Sequence, residues 1–139
     1  MLNFLDSNVW IALIWDRHVH AEQARLWFER CRNEYFYFCR FTQITVLRLL
    51  TTEQVMGSDT KTMAQAWRIW DELASDSQIE FLAEPEEIET LFRSRSNLAS
   101  ASPKVWADAY QLAFASATGM RFVTFDRALK SNKGEVLVL

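Results

Sequence analysis

Glycine and proline are scarce: three glycines (Gly57, Gly119 and Gly134) and two prolines (Pro85 and Pro103) in 139 residues. Flexible linkers and low-complexity tracts need those residues, so none is expected, and there is no internal repeat. Long segments joined by short loops follow. Cysteine is nearly absent as well. Cys31 and Cys39 fit neither a C-x-x-C pair nor a Cys/His zinc pattern, which excludes a disulfide scaffold and a structural zinc site and leaves both thiols as core filling. No apolar run approaches the ~20 residues of a membrane span. The opening Met-Leu-Asn-Phe-Leu-Asp has no basic stretch followed by an apolar one, so no signal peptide is read, and a soluble, cytoplasmic protein is expected. Basic charge is not in excess either. A net charge of −3 argues against a broad basic surface for nonspecific nucleic-acid binding. It leaves room for an enzyme that holds phosphates through metal ions, with acids at the site and bases at its rim.

What is present is apolar and aromatic. Half of the residues are hydrophobic, with six Trp and ten Phe, and a single domain of this length buries roughly two-thirds of its unfolded surface. Residues 1–139 are read as that one domain. Apolar runs at 2–5, 34–39, 79–82, 121–125 and 135–139 predict strands. Helical spacing predicts helices over 9–15, 20–31, 42–50, 60–74 and 85–92, then from Pro103 to a stop at Gly119, with a helical turn at 127–130. Alternation of strand and helix, with strands apolar throughout, specifies an α/β fold: a three-layer α/β/α arrangement around a mostly parallel sheet. Ligands of such sheets sit beyond the C-terminal strand ends.

Two aspartates occupy such ends, in Leu5-Asp6-Ser7 and Phe125-Asp126-Arg127. Each alone is explained as a helix N-cap. Together they place two carboxylates on one edge of the sheet. Asp108 lies in the helix opened by Pro103, read as beyond its first turn, where the helix dipole gives little support. Val105 and Leu112 beside it look like core positions, so its carboxylate needs a basic partner or a metal. Three carboxylates in one pocket repel one another, and a divalent cation relieves this. Oxygen ligands select Mg2+, with Mn2+ as a substitute, and such a site polarises a phosphodiester and activates water for in-line attack.

The segments Asp6-Ser7-Asn8, Trp106-Ala107-Asp108-Ala109-Tyr110 leading to Ala113-Phe114-Ala115, and Phe122-Val123-Thr124-Phe125-Asp126 resemble the PIN-domain nucleases, and most nearly the VapC toxins of toxin–antitoxin pairs. The resemblance spans essentially the whole chain in the right order. It implies a PIN fold, metal-dependent cleavage of RNA, homodimers, and inhibition by a VapB-like antitoxin. It maps Asp6, Asp108 and Asp126 onto the acidic positions, with Asp6 and Asp108 as the main metal ligands and Asp126 completing the pocket directly or through water. Asn8 and Thr124 would orient them. One departure stands out. The family carries a Glu early in the helix after the second strand, and Gln43 is read at that position, bringing no charge. Glu53 lies about ten residues further on and is not assigned to the site. Arg48 matches a position often basic in these toxins, where it steadies the acids or meets a phosphate, the alternative being a solvated or paired helix arginine.

Other residues take blander readings first. His18 and His20 are expected to cap or pack rather than bind metal. The stripe Met63, Trp67, Trp70 and Leu73 is expected in a core or dimer interface rather than as a base-stacking platform. Arg121, Arg127, Lys130 and Lys133 either guide RNA phosphates or form a solvated edge. Three functions compete: an RNA endonuclease acting as a toxin, with transfer or ribosomal RNA as substrate candidates and no covalent nucleophile in its motifs; a degenerate PIN domain that binds antitoxin or RNA but cuts poorly because of Gln43; and a phospho-acceptor receiver domain, disfavoured because Ser7-Asn8 follows Asp6 and Thr124-Phe125-Asp126 stands where a Lys is wanted.

Overall fold

A computed structural model describes residues 1–130 and 135–139. Five strands form one all-parallel sheet in the order β3-β2-β1-β4-β5: β1 (Leu2–Leu5), β2 (Tyr35–Phe38), β3 (Ile79–Phe81), β4 (Arg121–Thr124) and β5 (Val136–Val138). The connecting helices are α1 (Ser7–Ile14), α2 (Ala21–Arg30), α3 (Arg40–Leu50), α4 (Glu53–Met56), α5 (Met63–Ala74), α6 (Ile88–Ser96) and α7 (Val105–Thr118). Short 3-10 turns cover Gly57–Asp59 and Arg127–Leu129.

The pleat sorts the strand residues into two cores. Leu5, Phe36, Phe38 and Val123 point to one face, where Val9, Trp10, Trp27 and Val46 from α1, α2 and α3 cover them. Phe4, Tyr37 and Phe122 point to the other, beneath Ile88 of α6 and Leu112, Ala113 and Phe114 of α7. This two-sided burial is why the strands read as unbroken apolar runs. On the first face Trp10 stacks on Phe38 at 4.0 Å between ring centroids, and Trp70 of α5 meets Phe38 edge-on at 4.8 Å. The α5 stripe therefore divides. Trp70 joins the core, whereas Met63 and Trp67 are 72% and 49% exposed and line an apolar groove with Ile44, Leu47 and Ala66. Both cysteines are free, and Cys39 is buried. Among the described residues, no helix is long and apolar enough to cross a membrane.

Five helix starts differ from expectation by two residues or more: α1 and α3 begin two residues early, at Ser7 and Arg40, and three helices begin late. α5 begins at Met63, where Thr62 and Gln65 form a capping box, so Thr60 lies outside it. α6 begins three residues after Pro85 and runs on to Ser96. α7 begins at Val105 rather than at Pro103, which brings Asp108 into its first turn. There the helix N-terminus favours a carboxylate, contrary to the expectation that the dipole gives it little support.

The strand order reverses at β1. The chain steps from β1 outward through β2 to β3, then crosses to the other side of β1 to lay down β4 and β5. A crevice therefore opens between the C-terminal ends of β1 and β4, because their following connections diverge to opposite sides. Asp6 and Asp126 stand at those ends.

Candidate functional site

Asp6 follows β1 directly, and its backbone N–H donates to Val123 O at 2.9 Å, which ties it to β4. It precedes α1, yet its side chain makes no capping hydrogen bond. Its Oδ2 instead accepts a 2.8 Å hydrogen bond from Thr124 Oγ1. Thr124 is fully buried, and its Oγ1 also accepts from the Asp126 backbone N–H at 3.1 Å. One buried hydroxyl thus orients the Asp6 carboxylate and the backbone that carries Asp126. Asp126 is exposed, and its Oδ1 accepts from Ala128 N at 2.9 Å, capping the 3-10 turn. Its capping role and its place at the crevice coexist.

Asp108 reaches the same crevice from the first turn of α7. A cleft of about 630 Å3 is lined by Asp6, Asn8, Asp108 and Asp126, and also by Thr45 and Arg48 from α3. Burial is the main cause that raises the Asp6 pKa; the hydroxyl of Thr124 and the amides of Ser7 and Asn8 pull it down, and Asp126 pushes it up. Burial also raises the pKa of Asp108, and the charges of Asp6 and Asp126 add to the rise. Asp6 and Asp108 are therefore held with difficulty in their charged forms, and the charge of Asp126 acts on both.

The other expected residues divide. Asn8 and Arg48 line the cleft and are exposed, whereas Thr124 acts from beneath it. Gln43 does not line it. Its side chain is buried, and its Oε1 accepts a hydrogen bond from Arg40. The α3 side chains turned to the cleft are Phe41, Thr45, Arg48 and Leu49, which share a helix face. Arg121 lies at the opposite end of the sheet, about 10 Å away along β4. It donates to Asn3 Oδ1 at 3.0 and 2.8 Å and pairs with Glu34 at 3.3 Å; it is an inner strut of the sheet and not a phosphate guide. Arg127 and Lys130 are exposed beyond Asp126, off the cleft wall. Lys133 lies outside the described residues.

His18, His20 and Gln111 are among the cleft residues to which the sequence assigned no site role. His18 and His20 both line it, and His20 stacks on Phe125 at 4.4 Å between centroids. Burial, with help from His20, holds His18 towards its neutral form. The H-x-H spacing was the available signal, but only the fold carries this loop to the carboxylates. Gln111, buried on α7, also lines the cleft, and no sequence pattern marks it.

Among the described residues, no three acidic, histidine or cysteine side chains converge as a ready-made metal cage. The donor set is instead carboxylates around open space, with neutral oxygens at its edge. This suits Mg2+, which takes one or two protein carboxylates and keeps several waters. The residues present fit such an ion.

Residues 4–135 match the PIN domain, and the chain belongs to that family. Its relatives are VapC proteins. It is 37% identical to Ribonuclease VapC41 of Mycobacterium tuberculosis over 134 residues, covering 93% of this chain and 92% of the relative. It is 29% identical to Ribonuclease VapC39 of the same organism, with 99% and 98% covered. The fold matches a chain in the crystal structure of VapBC2 from Rickettsia felis bound to a promoter DNA fragment, with a TM-score of 0.63 at 12% identity, covering 100% of this chain and 98% of that one. The α/β/α architecture with a central parallel sheet is the PIN fold, and the family named from the three sequence motifs is the family found.

Proposed function

We propose that this chain is a Mg2+-dependent endoribonuclease, with Mn2+ able to substitute, and the cytoplasmic toxin of a VapBC-type pair. The observation that carries this reading is that Asp6, Asp108 and Asp126, from three separate elements, line one cleft at the switch point of the sheet. The identity to a protein named a ribonuclease supports the substrate class. The VapC relationship supports a VapB-like antitoxin as partner, and the proposal includes a homodimer.

When bound, the divalent cation supplies the positive charge that polarises a phosphodiester and makes water a better nucleophile. Asp6 and Asp108 hold it, and Asp126 closes the acidic edge. Thr124 keeps the Asp6 carboxylate in one orientation and so limits its reorganisation during the reaction. Arg48 lines the same cleft and meets an RNA phosphate. His20, stacked on Phe125, offers a flat surface to an unstacked base, which suits single-stranded RNA.

A chain rendered inert by Gln43 loses its premise, because Gln43 faces Arg40 and not the cleft. What α3 presents there is Thr45, also uncharged. The weak-cutting reading therefore attaches to Thr45.

The test is cleavage of total cellular RNA by the purified chain with Mg2+, with Mn2+ and with EDTA, beside Asp6→Asn and Asp108→Asn. Discrete cuts that need metal and vanish in both variants support the reading. No cutting by a folded wild-type chain, rescued by Thr45→Glu, would favour the binding-only reading. No cutting by either chain would remove the enzyme claim.

A further inference from the structure

Gln111 follows Asp108 by three residues on α7, so both side chains share one helix face. Gln111 is 3% exposed and still borders the acidic cleft. Its Nε2 donates to Ala107 O at 3.4 Å. That contact fixes the amide orientation, since a reversed amide would set its oxygen against a carbonyl. Its Oε1 then finds no donor among the described residues. A buried carbonyl oxygen without a donor is costly and calls for an explanation. The next residues of the helix, Leu112 to Ala115, are buried and apolar, so a Leu or Met at this position would pack without that cost.

We infer that Gln111 Oε1 is a built acceptor for a water in the hydration shell of the divalent cation held by Asp6 and Asp108, which makes Gln111 a positioning residue of the site. The inference rests on the metal-dependent reading above. Mg2+ retains several of its waters when protein-bound, and those waters need acceptors. A confined water wants two to four polar partners. The Asp108 carboxylate and the Gln111 amide, side by side on one helix, supply two of them. An amide does this without a further negative charge, in a pocket where Asp6 and Asp126 already raise the pKa of Asp108.

The test uses the full chain with Mn2+ as the probe, followed by electron paramagnetic resonance titration and by thermal unfolding with and without the ion. Gln111→Met and Gln111→Leu keep the volume and remove the acceptor; Gln111→Glu keeps an acceptor. In the first two, Mn2+ affinity should fall about tenfold, the metal-free Tm should hold or rise, and the rise in Tm on adding Mn2+ should shrink. Gln111→Glu should bind Mn2+ at least as tightly as wild type. Unchanged affinity in the Met and Leu variants, with binding lost in Asp6→Asn and Asp108→Asn, overturns the inference and leaves the metal site standing. A lower metal-free Tm with the Mn2+ response intact makes Gln111 a packing residue and also overturns it. Affinity unmoved by any of these substitutions removes the metal reading itself.

Discussion

Thr124 Oγ1 and Asp6 Oδ2 meet at 2.8 Å although 118 residues separate them in sequence. The contact exists because β1 and β4 are hydrogen-bonded neighbours, with Leu5 beside Val123, which brings the next residues of each strand together at the sheet edge. The same hydroxyl accepts from the Asp126 backbone N–H, so a single oxygen sets the geometry of two acidic positions. Thr124→Val keeps the shape and removes both bonds. RNA cleavage should fall about 10- to 100-fold, and Thr124→Ser should restore most of it. Equal rates for wild type and the Val variant would show that the hydroxyl does not organise the site.

That contact marks where the sequence was readable and where it was not. β1 and β4 were visible as apolar runs because both faces of the sheet are covered, and the acids at their ends could be paired through the rule for open parallel sheets. The direction of a side chain on a helix was harder to read. Gln43 and Thr45 are two residues apart in α3, about 200° around a helix of 3.6 residues per turn; one meets Arg40 away from the cleft and the other opens to it. An error of two positions in matching a motif reverses the conclusion. Arg121 failed for a related reason. Closeness in sequence to Asp126 hid the fact that a strand carries its two ends apart. The starts of α5, α6 and α7 were placed early because Thr60, Pro85 and Pro103 are plausible first-turn residues, whereas two or three more residues stay outside the helix before each one winds.

The raised pKa values of Asp6 and Asp108 have a consequence for stability. A carboxyl whose folded pKa lies above its unfolded value of about 3.8 binds protons more tightly in the folded chain. Stability from these groups is therefore largest at acid pH and declines as pH rises through the raised folded values. At neutral pH the metal-free chain carries the full penalty. In EDTA at pH 7, Asp108→Asn should unfold a few degrees higher than wild type, and the gap should close near pH 4. Adding Mg2+ should raise the Tm of wild type and leave the variant unmoved. A variant that unfolds lower than wild type in EDTA at pH 7 would contradict this account of the pocket.

Arg48 is exposed, lines the cleft and has no ion-pair partner among the described residues. A guanidinium at the edge of this cleft is available to a substrate phosphate. Arg48→Ala should raise KM for RNA several-fold and leave kcat within about threefold, as expected for an interaction that is equal in the ground and transition states. The slope of log K against log salt should become shallower by about 0.7, one phosphate contact on a single strand. A large fall in kcat with unchanged KM would instead put the guanidinium at the reacting phosphate.

Gly119 ends α7 in the left-handed conformation, with φ of +69°. Its N–H donates to Ser116 O at 3.3 Å, and the Met120 N–H donates to Ala115 O at 2.8 Å, which closes the helix and turns the chain into β4. A Cβ added at Gly119 would meet no atom within 4 Å, so the cost of Gly119→Ala is one of backbone conformation alone, about 1 kcal/mol. Tm should fall by about 3 °C for a chain of this size, and by less in Gly119→Asn, whose side chain tolerates this region. Asp108 and Gln111 lie in the first half of α7, away from this end, and Mn2+ affinity should therefore not change. Were Mn2+ binding to weaken along with Tm, the acidic cleft would be coupled to the far end of its helix, and each loss of binding expected above would have to be corrected for loss of fold before being assigned to a side chain.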